Sequence, residues 1–235
     1  MRIIIHGDIH GSTGGVAVLC DYLKLTQADI LVLLGDVGAN YYLNEHDDRV
    51  KEQLNALGPR LLCIHGNHEA RPWHIADMQT KLWHDGTVWY QPQYPRILYA
   101  KDGEIYQLGN HRCIAIGGAY SVDKFHRLAR NWQWFEDEQP SPEIKAYVEA
   151  QLVAHPVDVV FSHTCPAKHT PFECFLPGIR QSNVDTSTED WLDKIEDSLT
   201  YKAWYCGHWH TNKRTKKLHF LFDDYEILPE AMSST

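Results

Sequence analysis

Asp8-Ile9-His10 stands between Gly7 and Gly11, Asp36 follows Gly35, Asn67-His68-Glu69 follows Gly66, His163 follows Ser162, and His208-Trp209-His210 follows Gly207. Nearly every one of these segments comes directly after a run of apolar and β-branched residues. An open α/β sheet builds its active site in this way, from polar side chains delivered just beyond the strand ends, where a glycine lets the chain turn. Two Asp, one Asn and four His, with His68 to spare, supply enough oxygen and nitrogen donors for two divalent metals. They are too many for one tetrahedral zinc. An Asp-x-His alone is usually a polar surface turn, and a Gly-Asn-His a hairpin. Five such segments in one chain, each behind a strand, require that coincidence to recur five times.

The elements that must position these groups are legible in the apolar pattern. Residues 2–6, Ile30 to Leu34 and Arg60 to Ile64 read as three buried strands. Between the first two, Ser12 is placed to cap a helix whose Val16, Leu19, Cys20 and Leu23 share a face; between the next two, Glu45 to Leu57 has Val50, Leu54 and Leu57 on one side. Asp8, Asp36 and Asn67 recur at about 30 positions, the length of one strand-helix-strand repeat, so three parallel strands should present their ends on one edge. From 86 to 118 the texture changes to short β-like pieces, Thr87 to Tyr90, Arg96 to Ala100, Glu104 to Leu108 and Arg112 to Ile116, parted by Pro, Asp-Gly and Gly-Asn. These predict a second, more antiparallel sheet. Ser141-Pro142 starts a helix through Leu152, Val157 to Phe161 is the strand before His163, and Ser187 to Asp190 resembles a capping box. Lys202 to Cys206 delivers the last histidines, and residues 218–228 are expected to pair as closing strands around Asp223-Asp224.

The chain has 235 residues, 43% hydrophobic and 23% charged, which suits one well-buried domain spanning 1–235. A net charge of -9 lacks the broad positive field of a general nucleic-acid binder, so a nucleic-acid partner is disfavoured, although a nuclease is not excluded. The six cysteines form no CxxC pair and several lie within apolar runs, as buried reduced thiols do. The apolar start, Ile3-Ile4-Ile5, is too short for a signal peptide or a membrane span, so a cytoplasmic location and no membrane partner are expected.

Taken in order, DxH, GD, GNHE, a lone His and GHxH resemble the calcineurin-like metallophosphoesterase superfamily, in the form of its small bacterial and phage members, from Asp8 to His210. The resemblance implies an α/β fold, a four-layer α/β/β/α sandwich of two mixed sheets flanked by helices. It implies that Asp8, His10 and His210 hold one metal, that Asn67, His163 and His208 hold a second, and that Asp36 bridges both. A carboxylate so shared keeps two ions about 3.5–4 Å apart, and a hydroxide between them attacks phosphorus in line. His68, beside Asn67 and not needed for coordination, is placed to give a proton to the leaving oxygen, as the family likeness also implies. Asp36, Asn67 and His68 are thus the expected catalytic set. Mixed Asp, Asn and His ligation fits Mn²⁺, Fe or Zn²⁺ better than Ca²⁺ or Mg²⁺, and Mn²⁺ is the preferred expectation.

Substrate contacts are expected from Arg71, and from the loop of Gly117 to Lys124 with Tyr120, Lys124 and Arg127. Glu69 is read as orienting His68 or as a helix-start carboxylate, His6 and His65 as donors to the ligands, and Trp209 as a pocket wall. Trp132, Trp134 and Phe135 are read as a packing cluster, and Lys213, Arg214, Lys216 and Lys217 as a solvated turn. The phosphoester partner is left open between mono- and diester. A Ser/Thr-type protein phosphatase is weakened because Gly35-Asp36-Val37-Gly38-Ala39-Asn40 lacks the Arg of GDxxDRG. A nuclease of the same fold and a metal-binding scaffold without activity are the remaining alternatives.

Overall fold

The computed structural model describes residues 1–175 and 183–230. Strand β1 (Ile3–His6) shows the logic of the whole fold. Side chains alternate across a strand, so Ile3 and Ile5 enter one apolar cluster while Ile4 enters another. The same alternation holds in β2 (Ile30–Leu33) and β3 (Arg60–Cys63), where both faces are buried. Continuous apolar runs are what a parallel sheet covered on both sides demands.

The first sheet has seven strands in the order β13-β1-β2-β3-β6-β5-β4, with β4 (Gln79–Trp83), β5 (Gly86–Tyr90), β6 (Ile97–Ala100) and β13 (Tyr225–Ile227). β1, β2, β3 and β6 run parallel; β13, β5 and β4 are antiparallel additions at the edges. The second sheet has six strands in the order β11-β12-β10-β9-β8-β7, with β7 (Ile105–Leu108), β8 (His111–Ile116), β9 (Val159–Ser162), β10 (Ala203–Cys206), β11 (Lys213–Arg214) and β12 (Leu218–Phe220). Its centre, β8, β9, β10 and β12, is again parallel.

Ile5, Val32, Leu62, Phe161 and Tyr205 meet in the cluster between the sheets. On the far side of the first sheet, α1 (Thr13–Tyr22) and α2 (Glu45–Asn55) bury Val16, Leu19, Val50 and Leu54 against Ile4, Leu31 and Leu61. On the far side of the second, α4 (Pro142–Ala154) and α5 (Ser187–Ser198) bury Val148, Trp191, Leu192 and Ile195 against Val160 and Trp204. Each such aliphatic side chain gains about 1.5–3 kcal/mol on leaving water. The result is the expected four layers of helices, sheet, sheet and helices. A short α3 (Lys124–Ala129) lies in the connection from β8 to α4.

Four sequence expectations change. The pieces between 86 and 118 do not form one sheet: β5 and β6 extend the first and β7 and β8 open the second, because the Asp102-Gly103 turn carries the chain between sheets instead of closing a hairpin. The second sheet is consequently as parallel at its centre as the first. Residues 218–228 do not pair with one another either, since β12 pairs with β10 and β11 while β13 pairs with β1. Finally, Ser12 makes no side-chain cap to α1, and the expected box at α5 is replaced by Asp185, which accepts from the Ser187 N–H at 2.9 Å. Ser141 does cap α4 through the Ile144 N–H at 3.3 Å. Among the described residues no helix is long and apolar enough to cross a membrane.

Candidate metal centre

Asp8 follows β1, Asp36 follows β2 and Asn67 follows β3, while His163 follows β9 and His208 and His210 follow β10. All five strands are parallel members of their sheets, so their C-terminal ends open on one edge of each. The loops then bind one another. The His10 N–H donates to the Asp36 carbonyl at 2.7 Å, and the Gly207 N–H to the His163 carbonyl at 2.9 Å. The His68 N–H donates to Asp36 Oδ1 at 2.8 Å, and the His208 N–H to both oxygens of Asp8.

Two glycines make this closeness feasible. A Cβ at Gly66 would fall 2.1 Å from Asp36 Oδ1, and one at Gly207 would fall 2.1 Å from Asp8 Oδ1. Each glycine before one donor thus makes room for a carboxylate from another loop. The backbone is also unusual at the donors themselves: His10, Asp36, His208 and His210 have φ of 45°, 46°, 66° and 46°. Left-handed conformations at non-glycine residues are uncommon and gather at functional sites where the surrounding bonds enforce them.

The side chains converge. Asp8, His10 and His210 bring one ligand atom each within 4.8 Å of one another, and so do Asp8, Asp36 and His163. His10 Nε2 and His210 Nε2 lie 3.0 Å apart. Asp36 faces both groups, with Oδ2 3.9 Å from His10 Nε2 and Oδ1 3.6 Å from His163 Nε2. Asn67 donates through Nδ2 to Ser121 Oγ at 2.9 Å, which turns its Oδ1 toward His163 Nε2 at 2.8 Å and His208 Nδ1 at 3.0 Å. His163 in turn donates from Nδ1 to the Leu34 carbonyl at 2.7 Å, leaving the Nε2 lone pair to face that oxygen. A shared cation would relieve the opposition of the His163 lone pair and the Asn67 oxygen. A backbone carbonyl fixing the tautomer of an imidazole is also the usual support of a metal-binding histidine.

The electrostatics agree with that donor set. Burial, with Asp36 nearby, pushes Asp8 well above the ordinary carboxylate range. Against the same cost of burial, His163, His68 and His10 hold Asp36 down at about 2. Burial lowers His163, His208 and His210, so these imidazoles favour the neutral form that binds metals. Hard carboxylate and amide oxygens mixed with imidazoles fit a first-row divalent ion. His68 stands at the rim, its Nε2 3.7 Å from Asp123 Oδ1 and its ring stacked 6.2 Å from Tyr41. It also lies close enough to His10 and Asp36 to make a third potential donor group.

The substrate contacts expected from the sequence fare differently. Tyr120 lines a cavity of about 580 Å³ that also reaches Asp36, Asn67, His68 and His208. Arg71 does not: it is buried at 1% exposure, with Nη1 on Asp102 at 2.5 Å and Nε on the Asp137 carbonyl at 3.0 Å. Its charge is committed to an internal pair because the turn after Glu69 points it inward. Arg127 is fully buried and donates to Ser121 Oγ at 3.0 Å and to the Gln133 carbonyl at 2.7 Å. It therefore supports the partner of Asn67 from behind. Lys124 lies over the Trp134 ring at 3.8 Å. Glu69 neither orients His68 nor starts a helix; it accepts from the Gly66 N–H at 2.8 Å, and burial raises it to about 8.

His6 faces its own Gly7 carbonyl, and the buried His65 Nε2 has no partner, so neither reaches a ligand as expected. Trp132 packs on His126 and Phe135 on Tyr41, so the three aromatics do not form one cluster. Trp209 does wall the cavity. The sequence reading missed Glu138, which accepts from Ser121 Oγ at 2.6 Å, and the cavity residues Phe172, Phe175 and Glu189. Nothing in their spacing sets them apart from ordinary loop and helix residues.

A family model described as calcineurin-like phosphoesterase matches residues 1–212. One solved crystal structure superposes with a TM-score of 0.54 at 14% identity, covering 94% of this chain and 89% of that one. The crystal structure of phosphopantetheinyl hydrolase (PptH) from Mycobacterium tuberculosis is similar with a TM-score of 0.46 at 14% identity, covering 94% of this chain and 88% of that one. At such identity the first of these likenesses speaks for the fold alone. No curated protein matches in sequence.

Proposed function

The chain belongs to the calcineurin-like phosphoesterase family, and from that premise we propose that it is a single-domain phosphoester hydrolase dependent on two divalent metal ions. Asp8, His10 and His210 would hold one ion and Asn67, His163 and His208 the other, with Asp36, which faces both groups, available to either. When bound, such ions neutralise phosphate charge and lower the pKa of water enough for attack near neutral pH. Water oxygen bonds to phosphorus, the bond from phosphorus to the alcohol oxygen breaks, and His68 gives the departing oxygen its proton. Tyr41 and Asp123 hold the His68 ring at the mouth of the cavity, where a leaving group would lie. Ser121, itself held by Glu138 and Arg127, keeps the Asn67 amide oxygen turned inward. Mn²⁺ is the preferred ion, with Fe or Zn²⁺ as alternatives.

The observation that carries this reading is the meeting of Asp8, Asp36, Asn67, His163 and His208 from five strand ends of two different sheets. A scaffold that had lost its metals would have no need to keep every donor. A protein phosphatase of the Ser/Thr type is further disfavoured because, among the described residues, no Arg or Lys lines the cavity. The test is an assay of the purified chain with para-nitrophenyl phosphate and its bis-ester, with and without Mn²⁺, alongside elemental analysis. Hydrolysis that follows metal content is expected. No turnover of either ester with any tested metal would leave the binding-protein account in its place.

A further inference from the structure

Two unlike groups of residues line the cavity beside the proposed metals. Phe172, Phe175, Trp209 and Val122 form the apolar one, with the Phe175 and Trp209 rings stacked at 5.5 Å and 12°. Asp123, Asp185, Glu189 and Asp190 form the acidic one, and among the described residues neither Lys nor Arg lines the space. Such a chamber repels any portion of a substrate that carries further phosphates, and it attracts a cation with an apolar body.

Glu189 sharpens that inference. Asp185 and Asp190 are exposed, and their carboxylates are already engaged by Gln139, Ser187 and Thr186. Glu189 is only 4% exposed, near the start of α5. Its Oε1 accepts from Thr164 Oγ1 at 2.8 Å, whereas its Oε2 is buried with no partner. A buried carboxylate oxygen left unpaired is costly, and the cost is removed when a ligand donates to it. Trp209 Nε1 is likewise buried without an acceptor, which adds one donor for an oxygen of the same molecule.

Resting on the hydrolase reading above, we propose that this cavity receives the alcohol portion of the substrate, and that this alcohol is an apolar group bearing a cationic amine. The rings take the apolar body, and Glu189 with the neighbouring carboxylates takes the ammonium. By the charge of the described lining, nucleotides and polyphosphates should be poorer substrates than esters of such an alcohol.

Three phenyl phosphates test the idea, with para substituents that differ in charge but are insulated from the ring by two methylenes: trimethylammonioethyl, 3,3-dimethylbutyl and sulfoethyl. The metal-loaded chain should give the cationic ester a kcat/KM about tenfold above its neutral isostere, the size of one desolvated cation contact, with the anionic ester lowest. The ratio of cationic to neutral should fall toward unity in Glu189→Gln. Because it is taken within each variant, a general loss of activity cancels. The exposed pair Asp185→Asn/Asp190→Asn reads the same ratio if Glu189→Gln does not fold, and should lower it. The free phenols, titrated against tryptophan fluorescence without metal, should bind in the same order. Equal turnover of the three esters overturns the proposal and leaves the hydrolase reading standing. Hydrolysis of none of them, with any metal, overturns both.

Discussion

The loops that carry the candidate metal donors and the segments that wall the adjoining cavity are built on opposite principles. Each donor loop is a few residues long, leaves a parallel strand and is bonded to a neighbouring donor loop, with left-handed backbone at His10, Asp36, His208 and His210. Much of the cavity wall comes from connections with little regular structure, including the loop from Tyr120 to Asp123 and single turns at Ala167–His169 and Phe172–Cys174. Val122 and Phe172 stand 65% and 64% exposed there, and surface pairs such as Lys168 with Asp197 tie the segment down. The convergent polar groups lie where two sheets fix them, and the cavity wall where loops supply it.

The sharpest attempt to break this contrast is at Asp36, the group that faces both halves of the centre. Asp36→Asn removes the shared charge and weakens the acceptor of the His68 N–H. Hydrolysis is expected to fall by about 10³-fold, the scale on which transition-state charge stabilisation is lost, and metal content to drop below two equivalents. Two full equivalents by elemental analysis in that variant would contradict the bridging assignment.

His68 sits where the two regions meet, and its removal should separate them. His68→Ala is expected to retain both metals while slowing hydrolysis by about 10²–10⁴-fold, the usual worth of a positioned proton donor. The loss should be greatest for esters with poor leaving groups. An equal loss for good and poor leaving groups would argue against proton donation.

The same contrast explains what the sequence could disclose. The convergence of Asp8, Asp36, Asn67, His163 and His208 was legible because a continuous apolar strand followed at once by a turn leaves little freedom for where the next polar residue points. The two-sheet sandwich followed from the resemblance, yet the partition of strands did not. Asp102-Gly103 looks like a hairpin turn and in fact crosses between sheets, since pairing depends on which distant strand offers an edge. Arg71 and Arg127 were misread for a related reason. A cation near a phosphate site and a cation folded inward onto Asp102 or Ser121 have the same sequence, and only burial tells them apart.

Ser121 provides a smaller test, on the support behind a donor. Ser121→Ala deletes the acceptor of Asn67 Nδ2 and the hydroxyl that joins Glu138 to the Arg127 guanidinium, leaving Glu138 only the backbone N–H of residue 121 from that position. Outer partners of metal ligands are typically worth about 10–100-fold in affinity, so metal binding should weaken by that factor with the cavity unaltered. Titration of the variant with Mn²⁺ reads this directly. Unchanged affinity would mean that the Asn67 amide is held by its own loop alone.

The smallest effect is expected on the wall. Phe172→Ala removes a side chain that is mostly in water, so stability should change by no more than about 0.5 kcal/mol, as for other surface substitutions. One ring is lost from the cavity lining, and none of the donor loops is touched. KM for aryl esters should therefore rise while metal content and the rate at saturation stay near their starting values. If Phe172→Ala instead lowered metal content along with the saturated rate, the wall and the centre would be one cooperative unit. The division between a fixed chemistry and a variable recognition surface would then have to be abandoned for this chain.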